Sequence, residues 1–470
     1  MNIMRYLNKL LILALLATTI WSCDDQLTTS PYDSIDSKTA YETVDDLEQG
    51  ALGAYNAISG VNIYGINARI TDNLRRADSN TGQGMQIFNH NIIAGDGTIG
   101  AAWLNAYIVI DRVNRLLAAS EEFNTESTEQ ENTLKQIRGE MLALRAYQHF
   151  DLFRMFASYD NSGPAVPYMV ESKVSSPART PKAEFFNLLI EDIDNAITLL
   201  GQQATTNNDR LNLRTVQGLR ARVALYRSNW STAIDYATQA IDNPNSSGLT
   251  SRSNYAGLWD DSIQGEVMFK LLRPLPSSGT VDIFERASND DVFFYASNEL
   301  ANLYDTSGDN DIRFNTFFER IDSETVKVNK YNKRNGQKNT ADIKMMRISE
   351  MYLIRAEAYA QPGPQQDLTA AEDDIKELRA NRYDTVPQTS FSDSQDALDT
   401  IRLERRLELV YEGHHFFDLK RANLPITRIP ADIDAQTASD GLAADSYKFV
   451  LPIPIDEIFA NENIEQNPGY

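Results

Sequence analysis

Few side chains in this sequence stand at spacings that do chemistry unaided. The four histidines are His90, His149, His414 and His415. The adjacent pair is not at the i, i+4 spacing that lets one helical face hold a metal ion. His149 lies in the apolar run RAYQHFDLFRMF, where a packed imidazole is expected. With 66 acidic residues, carboxylate pairs are unavoidable and mean little by themselves. Glycoside hydrolysis needs two carboxyl groups about 5 to 9 Å apart with their pKa values split by environment, and no Asp or Glu is marked for that role. Asp305, Asp309 and Asp311 in YDTSGDNDIRF offer oxygen ligands for calcium but lack the spacing of an EF-hand loop, so a solvated turn carrying helix caps is expected. No phosphate loop, GxSxG elbow or HExxH occurs. The expectation is a protein with no catalytic residue, no bound metal and no cofactor.

Flat aromatic rings set beside amides and carboxylates suit a different chemistry, the recognition of sugars through C–H faces and hydroxyls. Two irregular stretches supply them. The first, 60–100, holds Tyr64, Asn80, Phe88, His90 and Asn91; the second, 245–340, holds Tyr255, Trp259, Phe293, Phe294 and Tyr295. A loop ring also serves as an anchor against the body of a protein, so the regions are marked more firmly than their members. The candidate ligand residues are Tyr64, Asn80, Phe88, Trp259, Phe293, Phe294 and Tyr295. Trp103 and Trp230 fall on helical stripes and are assigned to the core.

The elements that must position these residues are helical. Apolar side chains recur at helical spacing from Val44 to Ile58, Trp103 to Leu117, Leu134 to Leu144 and Phe186 to Leu200. Val216, Leu219, Val223 and Tyr226 form one stripe, and Trp230, Ala233, Ile234, Ala237 and Ile241 a second after the link RSN. Two short helices joined so tightly look like a tetratricopeptide hairpin. A second pair follows on Ile348 to Tyr359 and Ala371 to Leu378. The fold expected is mostly α, a superhelix of tetratricopeptide-like helix pairs with an irregular loop-rich insertion. Its parts are 1–22, a leader; 23–40, a tether; 41–244, an N-terminal helical part with a loop at 60–100; 245–340, a ligand-binding insertion; 341–421, C-terminal helix pairs; and 422–470, an extended wrap.

The N-terminus, MNIMRYLNKLLILALLATTIWSC, combines a basic start with an apolar run too short to span a bilayer. Cys23, the only cysteine, follows that run and is the expected lipidation site. Removing residues 1–22, which hold two basic and no acidic residues, takes the net charge from −22 to −24. A chain so acidic repels phosphate backbones, so no nucleic-acid partner is expected.

Three further stretches form a pattern. They are IRLERRLELVYEGHHFFDLKR at 401–421, RISEMYLIRAEAYA at 347–360 and the closing LPIPIDEIFANENIEQNPGY. The first carries Leu403, Leu407, Val410 and Tyr411 on one helical stripe, then Gly413 to stop the helix. Together they resemble the SusD/RagB family, whose ELxxEGxRxxDLxR region has Arg where His415 stands here, and often Trp where Ala422 stands. The resemblance spans nearly the whole chain. It implies a lipid-anchored protein of the outer membrane that faces the exterior, takes up glycan without catalysis and serves a TonB-dependent (SusC-like) transporter as partner. Asp24 and Asp25 after Cys23 resemble the family's surface-export signal. In an alternative reading, the helix pairs form an envelope scaffold that binds peptides or other proteins.

Overall fold

Helical periodicity accounts for most of the architecture. The computed structural model describes residues 40–121, 123–159, 163–201, 207–245, 247–273, 280–286, 291–305, 310–334, 337–338 and 340–470. The leader, Cys23, all but the last tether residue, and Asp309 lie outside the described residues. The chain divides into a short unit ending at Glu48 and a large one from Gln49 to Tyr470. The first helix, α1 (Val44–Asn56), starts at a reciprocal cap: the Asp46 N–H donates to Thr43 Oγ1 at 3.1 Å, and Thr43 Oγ1 donates to Asp46 Oδ2 at 2.8 Å.

In the large unit the helices are α2 (Gly60–Ile70), α3 (Gly97–Glu121), α4 (Thr128–Phe156), α5 (Lys182–Leu200), α6 (Leu213–Tyr226), α7 (Trp230–Ile241), α8 (Ile348–Ala360), α9 (Leu368–Ala380), α10 (Ser394–Glu408) and α11 (His415–Arg421). From α3 to α9 each packs on the next, and α8 also meets α10. Ser127, Asn212, Asp367 and Asp393 cap α4, α6, α9 and α10 by accepting a backbone N–H with their side chains. The link Arg227–Asn229 turns through Ser228 at φ 54° and folds α7 back on α6. From Gly139 onward α4 is buried on almost every side, and the end of α5 leaves no room for a side chain at Gly139: a Cβ there would lie 2.8 Å from Leu200 Cγ.

The insertion between α7 and α8 begins and ends on one antiparallel pair, Val267–Leu271 with Ile343–Arg347. Its two ends therefore meet, and α7 packs directly on α8 although more than a hundred residues separate them. Among the described residues every sheet is two-stranded. The stretch 60–100 differs from expectation because it opens with a regular helix, α2. Its Gly60 is not a loop residue but a close-approach position, where a Cβ would meet Leu271, Met345 and Ile343 side chains at 3.3 to 3.4 Å.

The motif at 401–421 also folds differently from an amphipathic helix with an apolar seam. Leu403 is 40% exposed, whereas Glu404, Arg405 and Glu408 are at most 1% exposed. The helix ends at Glu408; Tyr411 and Gly413 take φ values of 60° and 78°, and α11 follows. Its carboxylates are the hub of a buried ionic cluster. Arg347 bonds Glu408 and Glu412 at 2.7 Å each, and Arg382 spans Glu408 and Glu266 at 2.9 Å. Arg313 reaches Glu404 at 2.7 Å and Asp311 at 2.7 Å, Arg379 reaches Glu404 at 2.7 Å, and Lys330 reaches Glu412 at 2.8 Å. Glu266, Asp311, Arg313 and Lys330 come from the insertion, Arg347 from its β-edge, and the rest from α9, α10 and the turns that follow them. The cluster therefore fastens the insertion to the helices. Burial by itself would raise the Glu408 carboxyl, but Arg382 and Arg347 outweigh it and hold it well below the usual range.

A second cluster joins α6, α8, α10 and α11. Arg222 bonds Glu350 at 2.6 Å, Arg405 bonds Asp418 at 2.9 Å and Arg421 bonds Glu357 at 2.7 Å. His414 sits among these guanidinium groups. Burial, then Arg405, hold it neutral, far below its ordinary pKa.

Candidate ligand-binding site

The two irregular stretches meet. Strand Leu74–Arg76 pairs antiparallel with Phe294–Ala296, placing Arg75 opposite Tyr295. Ser79 Oγ donates to the Val292 carbonyl at 2.6 Å, and Arg75 Nη2 donates to the Glu324 carbonyl at 2.7 Å. Arg76 is held by Asp434 at 2.6 Å and donates to Gln436 Oε1 at 3.0 Å. One patch thus draws on residues 75–83, 291–296, 319–325 and 434–437.

Alternation along the strand decides which rings reach the outside. Phe294 and Ala296 point inward and Tyr295, between them, outward. Phe294 is fully buried against Phe88 at 5.2 Å between centroids, and the Arg428 guanidinium lies 3.9 Å over Phe88. Phe293, on the far side of a ladder irregularity, is also buried.

Six of the seven candidate residues therefore turn out to be anchors. Tyr64 donates its hydroxyl to the Lys344 carbonyl at 2.7 Å, and its ring fills the space beside Gly413. Trp259 packs edge-on against Phe317 at 5.2 Å and Tyr331 at 5.4 Å, with Lys330 Nζ 4.1 Å over its ring. Asn80 is 7% exposed and spends its amide on the Phe293 and Gln83 carbonyls at 3.0 and 3.1 Å, while its Oδ1 accepts the Gly82 N–H at 2.8 Å. These three, with Phe88, Phe293 and Phe294, have no face left for a ligand; they hold the loops in place. Tyr295 alone is half-buried, with the Arg75 guanidinium 4.9 Å over its ring.

Around Tyr295 lie residues that the sequence reading did not single out. Asp78, Ser79, Thr81 and Gln436 are exposed, Gln83 and Arg75 half-buried. The string DSNTGQG carries that signal as a run of amide, hydroxyl and carboxylate groups beside a strand. Arg75 donates from Nη2 to the Glu324 carbonyl at 2.7 Å and to Thr325 Oγ1 at 3.3 Å, which fixes its guanidinium over the ring. A ring with donors and acceptors on both flanks can hold a polyhydroxylated ligand by stacking and hydrogen bonds.

The other candidate chemistries are spent inside the fold. His149 donates through Nδ1 to the Arg145 carbonyl at 2.9 Å, accepts the Met169 N–H at Nε2 at 2.9 Å, and stacks on Tyr168 at 3.8 Å. Burial pushes it down to about 3. His415 bonds Asp72 at 2.8 Å. Asp311 is buried rather than solvated, and caps the helix Ile312–Phe317 by accepting the Arg313 N–H at 2.9 Å. Among the described residues no group of three or more His, Cys, Asp or Glu could hold a metal ion, and no helix is long and apolar enough to cross a membrane.

Comparison with known proteins adds an independent line. The model of the SusD family matches residues 284–470, and a second, described as starch-binding and associating with the outer membrane, matches residues 26–225. The SusD-like protein P38 of Formosa agariphila is 23% identical over 511 aligned positions, covering 96% of each chain. A solved SusD superfamily protein from Bacteroides thetaiotaomicron has a TM-score of 0.78 at 27% identity, over 91% of this chain and 100% of its own. A putative sugar binding protein from Bacteroides vulgatus has a TM-score of 0.80 at 25% identity, over 92% and 100%.

Proposed function

Since the chain belongs to the SusD/RagB family of SusD-like, non-catalytic binding proteins, we propose that it captures glycan at the patch around Tyr295 and passes it to a TonB-dependent outer-membrane transporter. The observation that carries this reading is the junction of the two irregular stretches around one outward ring. Residues 220 positions apart, Arg75 and Tyr295, face each other there, and the loops are pinned by buried anchors. Support for a sugar ligand comes from the starch-binding description of the matched N-terminal family and from the sugar-binding neighbour.

In this reading Tyr295 stacks on a sugar ring, and Asp78, Ser79, Thr81 and Gln83 bond hydroxyls. The helix pairs present a stiff body to the transporter, and a lipid on Cys23 holds the protein at the outer membrane, facing outward. Hand-over requires release, so affinity is modest. The test uses residues 24–470 without lipid in native gels containing a panel of polysaccharides. One glycan retards the wild-type protein, and Tyr295→Ala loses at least tenfold in apparent affinity. Unchanged retardation of Tyr295→Ala moves the site elsewhere. If no glycan binds but a peptide digest gives heat in calorimetry, the scaffold reading replaces this one. Co-purification of the native lipoprotein with a β-barrel transporter tests the partner.

A further inference from the structure

Tyr295 does not stand alone on its strand. The guanidinium of Arg75, its cross-strand partner, lies 4.9 Å from the ring centroid. Both of its acceptors, the Glu324 carbonyl at 2.7 Å and Thr325 Oγ1 at 3.3 Å, belong to the turn of the hairpin that pairs Phe318–Arg320 with Val326–Val328. That turn is closed by bonds of its own: the Ile321 N–H donates to the Thr325 carbonyl at 2.9 Å, and the Glu324 N–H to Asp322 Oδ1 at 2.8 Å. Val326–Val328 runs beside Phe294–Ala296. Arg75 thus reaches from the strand that pairs with Tyr295 to the hairpin next to it, and its guanidinium rests on the ring along the way. Its Nε is buried without a partner, so the polar bonds alone do not satisfy this side chain, and the ring contact is what the arrangement secures.

The contact gives the ring an order that burial does not. Phe294 and Ala296 fix the strand by pointing into the core, but Tyr295 between them is only half-buried, so its side chain is held by its neighbours. A side chain that must be immobilised when a ligand arrives weakens binding by about two- to tenfold. A planar guanidinium seated on the aromatic face and tied to two acceptors has already done that ordering. It also occupies one face of the ring, so a sugar stacks on the other.

We propose that Arg75 is a positioning residue for glycan capture: clamped to the 321–325 turn, it holds Tyr295 in the orientation that a sugar ring meets. The inference rests on Tyr295 being the stacking ring, and Arg75 acts through that ring without touching the ligand. The test is a double-mutant cycle on residues 24–470, read as retardation in gels cast with amylopectin, xyloglucan, galactomannan or pectin, whichever retards the wild-type protein. Arg75→Ala weakens binding about two- to tenfold. Arg75→Lys does the same, because an ammonium cannot lie flat on the ring and hold both acceptors. In the Tyr295→Ala background, Arg75→Ala causes no further loss. Thr325→Val, which removes one acceptor and keeps the shape, gives a smaller loss in the same direction and serves if Arg75→Ala folds poorly. Equal losses in both backgrounds overturn the proposal, because Arg75 then acts independently of the ring. Arg75→Ala binding as tightly as wild type, or more tightly, while Tyr295→Ala is weakened, overturns this inference alone. Tyr295→Ala without effect, or no retardation by any of the four, removes the reading of the site and this inference with it.

Discussion

Replacing Glu408 by Gln probes the ionic cluster at its hub. The carboxylate accepts from Arg347 at 2.7 Å, from Arg382 twice at 2.9 Å and from Arg313 at 3.3 Å, all within a region closed to solvent. The amide keeps the shape but removes the charge and turns an N–H₂ toward three guanidinium groups. Breaking a buried pair from one side typically costs about 3 to 5 kcal/mol, because the partner charges stay buried without compensation. Against a total stability of about 5 to 15 kcal/mol, that is about a fifth or more. The assay is guanidinium unfolding followed by tryptophan fluorescence. Asp399→Asn serves as the control, since Asp399 and Arg402 form an exposed pair with side chains 62% and 30% accessible; such pairs contribute about 0 to 1 kcal/mol. A Glu408→Gln protein within 1 kcal/mol of wild type would refute the view that the motif's charges hold the insertion to the helices.

Other outcomes follow from the same geometry. Trp259→Ala removes a ring wedged between Phe317, Tyr331 and Lys330 and costs about 3 to 5 kcal/mol, whereas Tyr295→Ala leaves the unfolding midpoint unchanged and affects glycan retention alone. Stability falls with acid because His90, His149 and His414 are buried neutral. Burial lowers them, His90 to about 4 and His149 to about 3, while the unfolded chain takes up their protons below its ordinary histidine pKa. Unfolded protein thus binds more protons; His90 and His149 each cost about 2 kcal/mol at pH 5 relative to pH 8, and His414 acts in the same direction. A flat profile in urea unfolding between those two values contradicts this. Gly139→Ala drives a Cβ to 2.8 Å from Leu200 Cγ and 3.1 Å from Leu199 Cβ, so it destabilises by about 1 to 3 kcal/mol despite alanine's better helix propensity; a stabilised variant would show that α4 and α5 yield easily there.

The helices were legible because their apolar periods are local, as in Val216 to Tyr226 and Trp230 to Ile241. The meaning of the motif at 401–421 was not. A run of Glu and Arg on a helix reads as a wet face unless its partners are visible, and Arg313, Lys330 and Arg347 lie about sixty to ninety residues away in sequence. The same limit applies to the site. Composition marks 60–100 and 245–340 as ring- and amide-rich, but the choice of Tyr295 over Phe294 depends on strand register, which is set by pairing with Leu74–Arg76. Gly60 reads as a loop signal until the neighbours that exclude a side chain are in view.

The most direct test of the division between scaffold and binding surface is hydrogen–deuterium exchange of residues 24–470 with and without the polysaccharide that retards the protein. The account predicts slowed exchange confined to peptides covering 75–83, 291–296, 319–325 and 434–437, with α6 to α10 unchanged. Protection along α6 to α9 with those loops unaffected would contradict it and place the ligand on the helix pairs.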